Sequence, residues 1–246
     1  LWALNKLKLP LHVLHVNYNL RGTESIEDAN LVKDYCKKIG VPLTIHAVDF
    51  KEFLRKNGGN LQQEARNTRY AFFNKIREKY PKSKVVLAHH FDDQMETFWL
   101  QLFRQAGMSG LSGMKVVNDC YLRPFLRLPK EELKTLAETN KIPWREDSSN
   151  KKSIYLRNSI RNQLIPELSQ TFSSLRDAIL LIQEKLREQE IEDKNSLQKF
   201  LVACSGIFPL KELKAFSDDK LLLFLKKFGL KGSQLMEFRN FLDAHS

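Results

Sequence analysis

The sequence lacks any apolar run that approaches the roughly 20 residues of a membrane-spanning helix. It also opens without the pattern of a signal peptide. Its three cysteines lie far apart and form no Cys-x-x-Cys pair, so neither a disulfide framework nor a zinc ribbon is supported. These absences favour a cytoplasmic protein that has no membrane partner and works in a reducing compartment.

Acidic residues are scarce relative to basic ones. The chain has 40 lysines and arginines against 29 aspartates and glutamates, which gives a net charge of +11. Two stretches, 51–84 and 123–165, together carry more positive charge than this net value. Such a surface fits a polyanion, most simply nucleic acid, because neutralising phosphates releases counterions. The charge alone fits equally well a basic soluble protein without a nucleic-acid partner.

Strand and helix patterns alternate in the first part of the chain. Short apolar runs at 11–17, 42–48 and 84–89 are typical of strands, and a helical pattern follows each of them. This alternation predicts an α/β fold with a parallel sheet. Ligands of such sheets bind beyond the carboxyl ends of the strands.

After Pro166 the pattern becomes helical throughout. Residues 169–194 read as one long, strongly charged helix, and several short helices follow. We therefore divide the chain into an α/β domain over 1–168, a linker helix over 169–194 and a smaller helical domain over 195–246.

The stretch at 88–97, AHHFDDQMET, places acidic side chains at the carboxyl end of the third predicted strand. We expect Asp92 to cap the helix that follows, because a carboxylate there accepts hydrogen bonds from the first backbone N–H groups. Asp93 and Glu96 are three residues apart and share one helix face. Such a pair can hold an ammonium group and accept its proton, or it can hold a divalent cation.

The two histidines of this stretch leave a metal site open. His89, His90 and Asp93 offer nitrogen and oxygen ligands, as a metal-dependent phosphohydrolase would need. A further ligand from elsewhere in the chain would be required to complete such a site.

Two basic motifs have the composition of phosphate-binding elements. Arg66 and Arg69 are three residues apart on one face of a predicted helix, where they can bind phosphate or form a solvated face. The stretch 147–161, DSSNKKSIYLRNSIR, has the composition of a mobile basic loop over a polyanion. Its polar and basic residues are Asp147, Ser149, Asn150, Arg157, Asn158 and Arg161.

Seven motifs occur in the order found in a known family. The motifs are HVNYNLRGTES (15–25), EARNTRY (64–70), LAHHFDDQMETF (87–98), GLSGM (110–114), RPFL (123–126), EDSSN (146–150) and RNSIR (157–161). Together they resemble the tRNA(Ile)-lysidine synthetase family of the PP-loop ATP pyrophosphatase superfamily, over roughly 11–168. The resemblance implies a PP-loop domain of the adenine nucleotide alpha hydrolase-like fold.

This resemblance implies a carbon–nitrogen ligase that modifies tRNA. In the family, ATP adenylates the C2 oxygen of the wobble cytidine of tRNA(Ile) with a CAU anticodon, and pyrophosphate leaves. The ε-amine of free L-lysine then attacks C2 and expels AMP. The product, lysidine, switches codon reading from AUG to AUA.

The resemblance also implies a role for individual residues. Asp93 and Glu96 would bind lysine and accept its proton, as the catalytic pair. Further residues would bind ATP (Arg66, Arg69 and His89) and tRNA (Arg157, Asn158 and Arg161). The helical domain over 195–246 would also bind tRNA. Mg²⁺ would accompany the triphosphate, with no metal ligand assigned to the protein, and the family leaves a homodimer open.

The sequence departs from the family at its phosphate loop. The signature Ser-Gly-Gly-x-Asp-Ser, which binds phosphate through backbone N–H groups, does not occur. We therefore expect an N-terminally incomplete copy that lacks the first strand of the sheet and is weakly active or inactive. In addition, NYN stands where Asn-His-Gly is usual, and RQAG stands where Arg-Gly-Ser-Gly is usual.

Two other functions remain open on the same fold. A PP-loop tRNA thiolation enzyme would share the basic surface, although those with cluster or persulfide chemistry need paired cysteines. A non-catalytic tRNA-binding remnant would share it too. The retained Asp93, Glu96 and Arg69 count against such decay, because carboxylates in a cleft bring no obvious benefit in folding.

Overall fold

The computed structural model describes residues 1–146 and 156–245. The described residues form two compact units. Unit 1 contains those within 1–89 and 116–148, and unit 2 contains those within 90–115 and 149–246. The units are defined by contacts in space, so the division of the sequence into domains at 168 and 194 stays a prediction.

Unit 1 begins with a short helix and a strand–helix–strand crossover. Helix α1 is Trp2–Lys6, strand β1 is Val13–Asn17, helix α2 is Thr23–Ile39 and strand β2 is Leu43–Ala47. The two strands pair in parallel, with Val13 opposite Leu43. Helix α2 turns back at Gly40, whose left-handed conformation (φ 68°) suits a residue without a Cβ.

Two capped helices follow. Helix α3 is Phe50–Asn57, and helix α4 is Leu61–Glu78. The Asn60 side chain accepts hydrogen bonds from the backbone N–H groups of Gln62 and Gln63, and this fixes the start of α4. Helix α4 buries Phe72 and Phe73 in unit 1.

A second small sheet completes unit 1, together with helix α7 (Lys130–Thr139). Strand β3 (Val85–Val86) runs parallel to β5 (Tyr121–Leu122), and β4 (Val117–Asn118) runs antiparallel to β5. Strands β4 and β5 were not predicted, because two-residue strands are too short to show a periodic pattern.

Unit 2 is helical. Its helices are α5 (Phe91–Phe103), α6 (Met108–Leu111), α8 (Leu156–Ser159), a π-helical turn (Ile160–Leu164), α9 (Ile165–Thr171), α10 (Leu175–Cys204), α11 (Leu210–Lys214), α12 (Asp218–Lys227), a 3₁₀ turn (Gly232–Gln234) and α13 (Leu235–Ala244). None of the described helices is both long and apolar enough to cross a membrane.

Two hydrophobic clusters stabilise unit 2. One joins α5 to the start of α10 through Phe91, Met95, Phe98 and Ile179. The other joins the end of α10 to the last three helices, and it consists of Leu197, Leu213, Leu221, Phe224, Leu225 and Leu242. Burial of side chains of this size contributes about 2 kcal/mol each relative to exposure in water.

The α/β class with parallel strands and a helical C-terminal region is confirmed. The bounds of the predicted linker helix are wrong. Helix α9 ends at Thr171, because Phe172 has an extended backbone (φ −123°, ψ 94°). Helix α10 then continues to Cys204 through the charged stretch, because buried positions such as Gln183, Glu190 and Leu197 recur on its inner face.

Candidate functional site

The start of α5 is built around Asp93. His90 precedes the helix, and its backbone N–H donates a hydrogen bond to Asp93 Oδ2 at 3.0 Å. The prediction that Asp92 caps this helix is wrong. The helix begins one residue earlier than expected, at Phe91, so Asp93 occupies the third position and its carboxylate reaches back to the first free N–H group.

Glu96 lies one turn further along α5, and its side chain is fully buried. Arg157 Nε donates to Glu96 Oε2 at 2.6 Å, and Arg161 Nε donates to the other oxygen, Oε1. The Nη2 atoms of both arginines lie 3.7 Å from Asp93 Oδ1. Two carboxylates therefore face two guanidinium groups in one cluster, which we call the acid–arginine cluster.

Helical spacing explains why these four side chains meet. Asp93 and Glu96 are three residues apart on α5, and Arg157 and Arg161 are four residues apart on α8 and the π-helical turn. Residues at these separations lie on the same helix face, so each pair presents both side chains to the other helix. The contacts join positions that are 61 and 65 residues apart in the sequence.

The cluster is balanced in charge. Burial alone lowers the pKa of Arg161, but the hydrogen bond and negative charge of Glu96, with Asp93 and Asp92, raise it above its usual value. The Arg161 guanidinium group therefore stays charged and offsets the negative charge of the carboxylates, as buried ions require. The sequence motifs predicted lysine binding for the acids and tRNA binding for the arginines, whereas the structure brings the two groups into direct contact.

In unit 1, Tyr18 orders Arg69. The Tyr18 hydroxyl donates to the carbonyl of Ala65 at 2.7 Å and accepts a hydrogen bond from Arg69 Nε at 3.2 Å. This contact joins the end of β1 to α4 and holds the guanidinium group of Arg69 at its Nε atom. Arg66 is exposed and stacks on the Tyr70 ring, with 4.6 Å between Cζ and the ring centroid.

His89, also in unit 1, contacts a buried arginine. Arg123 Nε donates to His89 Nδ1 at 3.2 Å, and Arg123 is only 5% exposed. The two residues follow the parallel strands β3 and β5, so they lie at the carboxyl edge of the same sheet.

The glycine-containing loop at 110–114 is held by α5 and α10 within unit 2. Gln94 donates to the Met114 carbonyl at 2.9 Å and accepts from the Met114 N–H at 2.7 Å. Arg187 Nε donates to the Ser112 carbonyl at 3.0 Å. Gly113 has φ +72°, a conformation that favours glycine, and a Cβ there would lie 2.5 Å from Gln183 Nε2.

Four of these residues were not predicted: Tyr18, Gln94, Arg123 and Arg187. Tyr18 directly follows the predicted strand at 11–17, and that position is a signal that the sequence contained. Arg123 directly follows β5, which was too short to be predicted, so its position gave no such signal. Arg187 had no such signal, because it lies in a run of charged residues that is typical of a solvated helix face.

Other predicted residues are placed as follows. Asn158 lies half-buried in α8, while Asp147, Ser149 and Asn150 lie outside the described residues. Within the part of the chain that the structure describes, no group of three or more His, Cys, Asp or Glu side chains is arranged to hold a metal ion. Cys36 and Cys120 are buried, Cys204 is half-buried, and none of the three forms a disulfide.

Parallel strands with polar and basic residues at their carboxyl edge, as in unit 1, are typical of nucleotide-binding α/β proteins. The family model for the PP-loop domain (ATP_bind_3) matches residues 1–168. The chain belongs to this PP-loop family.

Named relatives indicate which enzyme family within the PP-loop family this chain resembles. A tRNA(Ile)-lysidine synthase of Porphyromonas gingivalis W83 is 34% identical over 99% of this chain and 55% of its own length. That of Clostridium tetani is 30% identical over 82% of this chain and 44% of its own length. The resemblance to this enzyme family is thereby confirmed, and the chain spans about half the length of the relatives that it matches.

A solved structure shares the fold. The U34-tRNA thiolase NcsA from Methanococcus maripaludis, with its [4Fe-4S] cluster, superimposes with a TM-score of 0.59 over 76% of this chain and 66% of that protein. At 17% sequence identity, the likeness extends to the fold alone.

Proposed function

We propose that this protein carries out ATP-dependent ligation of free L-lysine to C2 of the wobble cytidine of tRNA(Ile), which gives lysidine and switches codon reading from AUG to AUA. Membership of the PP-loop family and the names of the relatives support this reaction class. The observation that carries the proposal is the acid–arginine cluster, in which Asp93 and Glu96 hold two cationic groups.

Asp93 and Glu96 are the proposed lysine-binding and catalytic pair. The guanidinium groups on these carboxylates occupy positions where a lysine ammonium would be held, since both are cationic N–H donors. Lysine would replace one of them, and Arg157 is the more exposed of the two at 41%. The ammonium would then lose a proton to a carboxylate before its nitrogen attacks C2, because a protonated amine is not a nucleophile.

The proposed nucleotide contacts lie in unit 1. Arg69 is held at Nε by Tyr18, and its terminal N–H groups can donate to phosphate. Arg66 and His89 are further candidates for contacts with ATP. Asp93 and Glu96 are paired with arginines, and the described residues contain no group of three or more His, Cys, Asp or Glu side chains that could hold a metal ion. Mg²⁺ would therefore arrive on the ATP phosphates.

The proposed tRNA contacts are Arg157, Asn158 and Arg161. Each arginine donates to Glu96 through its Nε. The partly exposed Arg157 could exchange that hydrogen bond for one to a tRNA phosphate or to the wobble base. Lysine and tRNA binding would then be linked, because lysine on Glu96 releases an arginine for tRNA.

The test is the substitution Asp93→Asn. Asparagine keeps an oxygen that caps α5, so the fold should persist, but it removes the negative charge. We expect lysine affinity, measured by isothermal titration calorimetry, to fall by at least about tenfold, which is the value of one charge-assisted contact. Affinity for tRNA(Ile), measured by filter binding, should change little.

Asp92→Asn is the matched control, since this neighbouring carboxylate is 42% exposed and lies outside the proposed pair. It should leave lysine affinity unchanged. Loss of tRNA affinity in Asp93→Asn, with lysine affinity unaffected, would refute the assignment. Activity itself is tested in a chain that carries a Ser-Gly-Gly-x-Asp-Ser loop ahead of Leu1, by lysine-dependent release of AMP with tRNA.

A further inference from the structure

Arg123 is a buried cation at the edge of the small sheet in unit 1. It directly follows β5, and its backbone N–H donates to the Val116 carbonyl at 2.8 Å. With 5% of its surface exposed, its guanidinium group needs hydrogen-bond acceptors inside the protein.

The strand pairing brings His89 to this guanidinium. Strands β3 and β5 are parallel, and the Leu87 N–H donates to the Leu122 carbonyl at 2.8 Å. The residues after the two strands therefore run side by side. Arg123 Nε lies 3.2 Å from His89 Nδ1 as a result.

The chemistry of this contact determines where the His89 proton is. An arginine Nε carries a hydrogen and cannot accept a hydrogen bond. Nδ1 of His89 must therefore be the acceptor, without a hydrogen. In a neutral imidazole the hydrogen is then on Nε2, which becomes a donor.

We propose that Arg123 is a positioning residue that holds His89 as the neutral Nε2–H tautomer, so that its ring donates to an anionic oxygen of the phosphate class. The tautomer follows from the contact itself. The identity of the ligand as the ATP phosphates rests on the proposed function.

The alternative states of His89 would not serve this purpose. The Nδ1–H tautomer would turn an N–H group toward Arg123 and present an Nε2 lone pair, which repels phosphate oxygens. An imidazolium would likewise place its Nδ1–H against the Arg123 Nε–H. Arg123 therefore selects the one neutral form that is a donor at Nε2.

Nuclear magnetic resonance of ¹⁵N-labelled histidine side chains tests the tautomer directly in this chain, without ATP. The His89 signals are those that disappear in His89→Gln. We expect the Nε2–H pattern at neutral pH. Observation of Nδ1–H or of an imidazolium at His89 would overturn the proposal.

Two variants test the role of Arg123. Arg123→Met keeps a long apolar side chain but no donor, so His89 should become a mixture of tautomers. Arg123→Lys keeps a cationic donor, so a larger fraction of His89 should be in the Nε2–H form than in Arg123→Met. His12 is the internal control, because its Nε2 contacts Thr44 Oγ1 at 2.8 Å and should not respond. An unchanged His89 tautomer in Arg123→Met would refute the positioning role, and the wild-type spectrum decides the tautomer even if a variant does not fold.

Binding of ATP separates this inference from the proposed function. If His89 contacts phosphate, both Arg123→Met and His89→Leu should weaken ATP binding about tenfold, the value of one hydrogen bond to a charged group. A tautomer that responds while ATP affinity stays unchanged in both variants would keep the positioning role and refute the ATP contact.

Discussion

At the residue scale, a fully buried carboxylate such as Glu96 must find positive partners, because removing an ion from water costs several kcal/mol. Arg157 and Arg161 supply them, one to each carboxylate oxygen. A cationic substrate that binds Glu96 must form contacts as favourable as those of the arginine that it displaces. Under the proposed function, a lysine ammonium that entered this cluster would replace an existing contact instead of filling an unpaired site.

Glu96→Gln should therefore destabilise the protein. The amide keeps the shape of the side chain but removes the carboxylate to which both arginines donate through Nε, which costs about 3 kcal/mol. Urea denaturation measures the free energy of unfolding. Glu188→Gln is the control, since Glu188 is 58% exposed and pairs with Lys185 at the surface. A change in Glu96→Gln no larger than in the control would contradict the energetic role of the cluster.

His15, on β1, gives a prediction about pH. Burial lowers the pKa of its imidazole, and the charge of Asp28 only partly opposes this. The unfolded chain therefore binds the proton more tightly, so stability should be lost as pH falls below the ordinary histidine pKa of about 6.5. In His15→Gln, the free energy of unfolding should fall less between neutral and mildly acidic pH than it does in the wild-type protein. The exposed His245→Gln should show no such difference, and an equal pH profile in all three proteins would count against the assignment.

At the element scale, α10 connects parts of unit 2 that are distant in sequence. Its first turns pack Ile179 against α5, Arg187 holds the Ser112 carbonyl, and Leu197 belongs to the C-terminal core. The helix lies outside residues 1–168, which the PP-loop family model matches, yet it supports a loop inside that range. The PP-loop region is thus not structurally independent of the helices that follow it.

Arg187→Ala should loosen the loop at 110–114. The substitution removes the hydrogen bonds to the Ser112 and Met114 carbonyls, at 3.0 and 3.4 Å. We expect faster hydrogen–deuterium exchange in peptides that cover 108–115. The exchange rates in the interiors of the other helices should not change. Lys185→Ala is the matched control, because this lysine lies on the same helix and is 70% exposed. Equal exchange in both variants would show that Arg187 does not hold the loop.

At the scale of the whole molecule, the net charge of +11 predicts how the proposed binding of tRNA should depend on salt concentration. Each phosphate contact releases counterions, so the logarithm of the binding constant should fall with the logarithm of salt concentration. Arg157→Gln should make this slope shallower by about one, if Arg157 contacts phosphate. Arg161 remains on Glu96 in this variant and should preserve the fold.

Filter binding of tRNA over a range of salt concentrations provides the measurement. Lys185→Gln removes the same charge at a site outside the two basic stretches, and it should leave the slope unchanged. Identical slopes for both variants would mean that the general charge of the protein, and not Arg157, determines binding.

The sequence by itself determined the fold class and the family. Strand and helix periodicities are local properties, and they predicted the parallel strands at 11–17 and 42–48 and the helical C-terminal region. The order of short motifs predicted the PP-loop relationship, because each motif combines residue types with a specific chemistry. The stretch at 88–97 also indicated a helix with two acidic side chains on one face, and the structure has that helix.

Only the tertiary structure decided which side chains meet. Glu96 and Arg157 are 61 residues apart, and His89 and Arg123 are 34 residues apart, so no local pattern relates them. The sequence pattern around Arg187 is typical of a solvated helix face. In the structure, α10 packs against the loop at 110–114, and Arg187 donates to the Ser112 carbonyl. Local periodicity predicts which face of an element is apolar, but the pairing of charged groups depends on how helices and strands pack, since burial alone makes an unpaired charge costly.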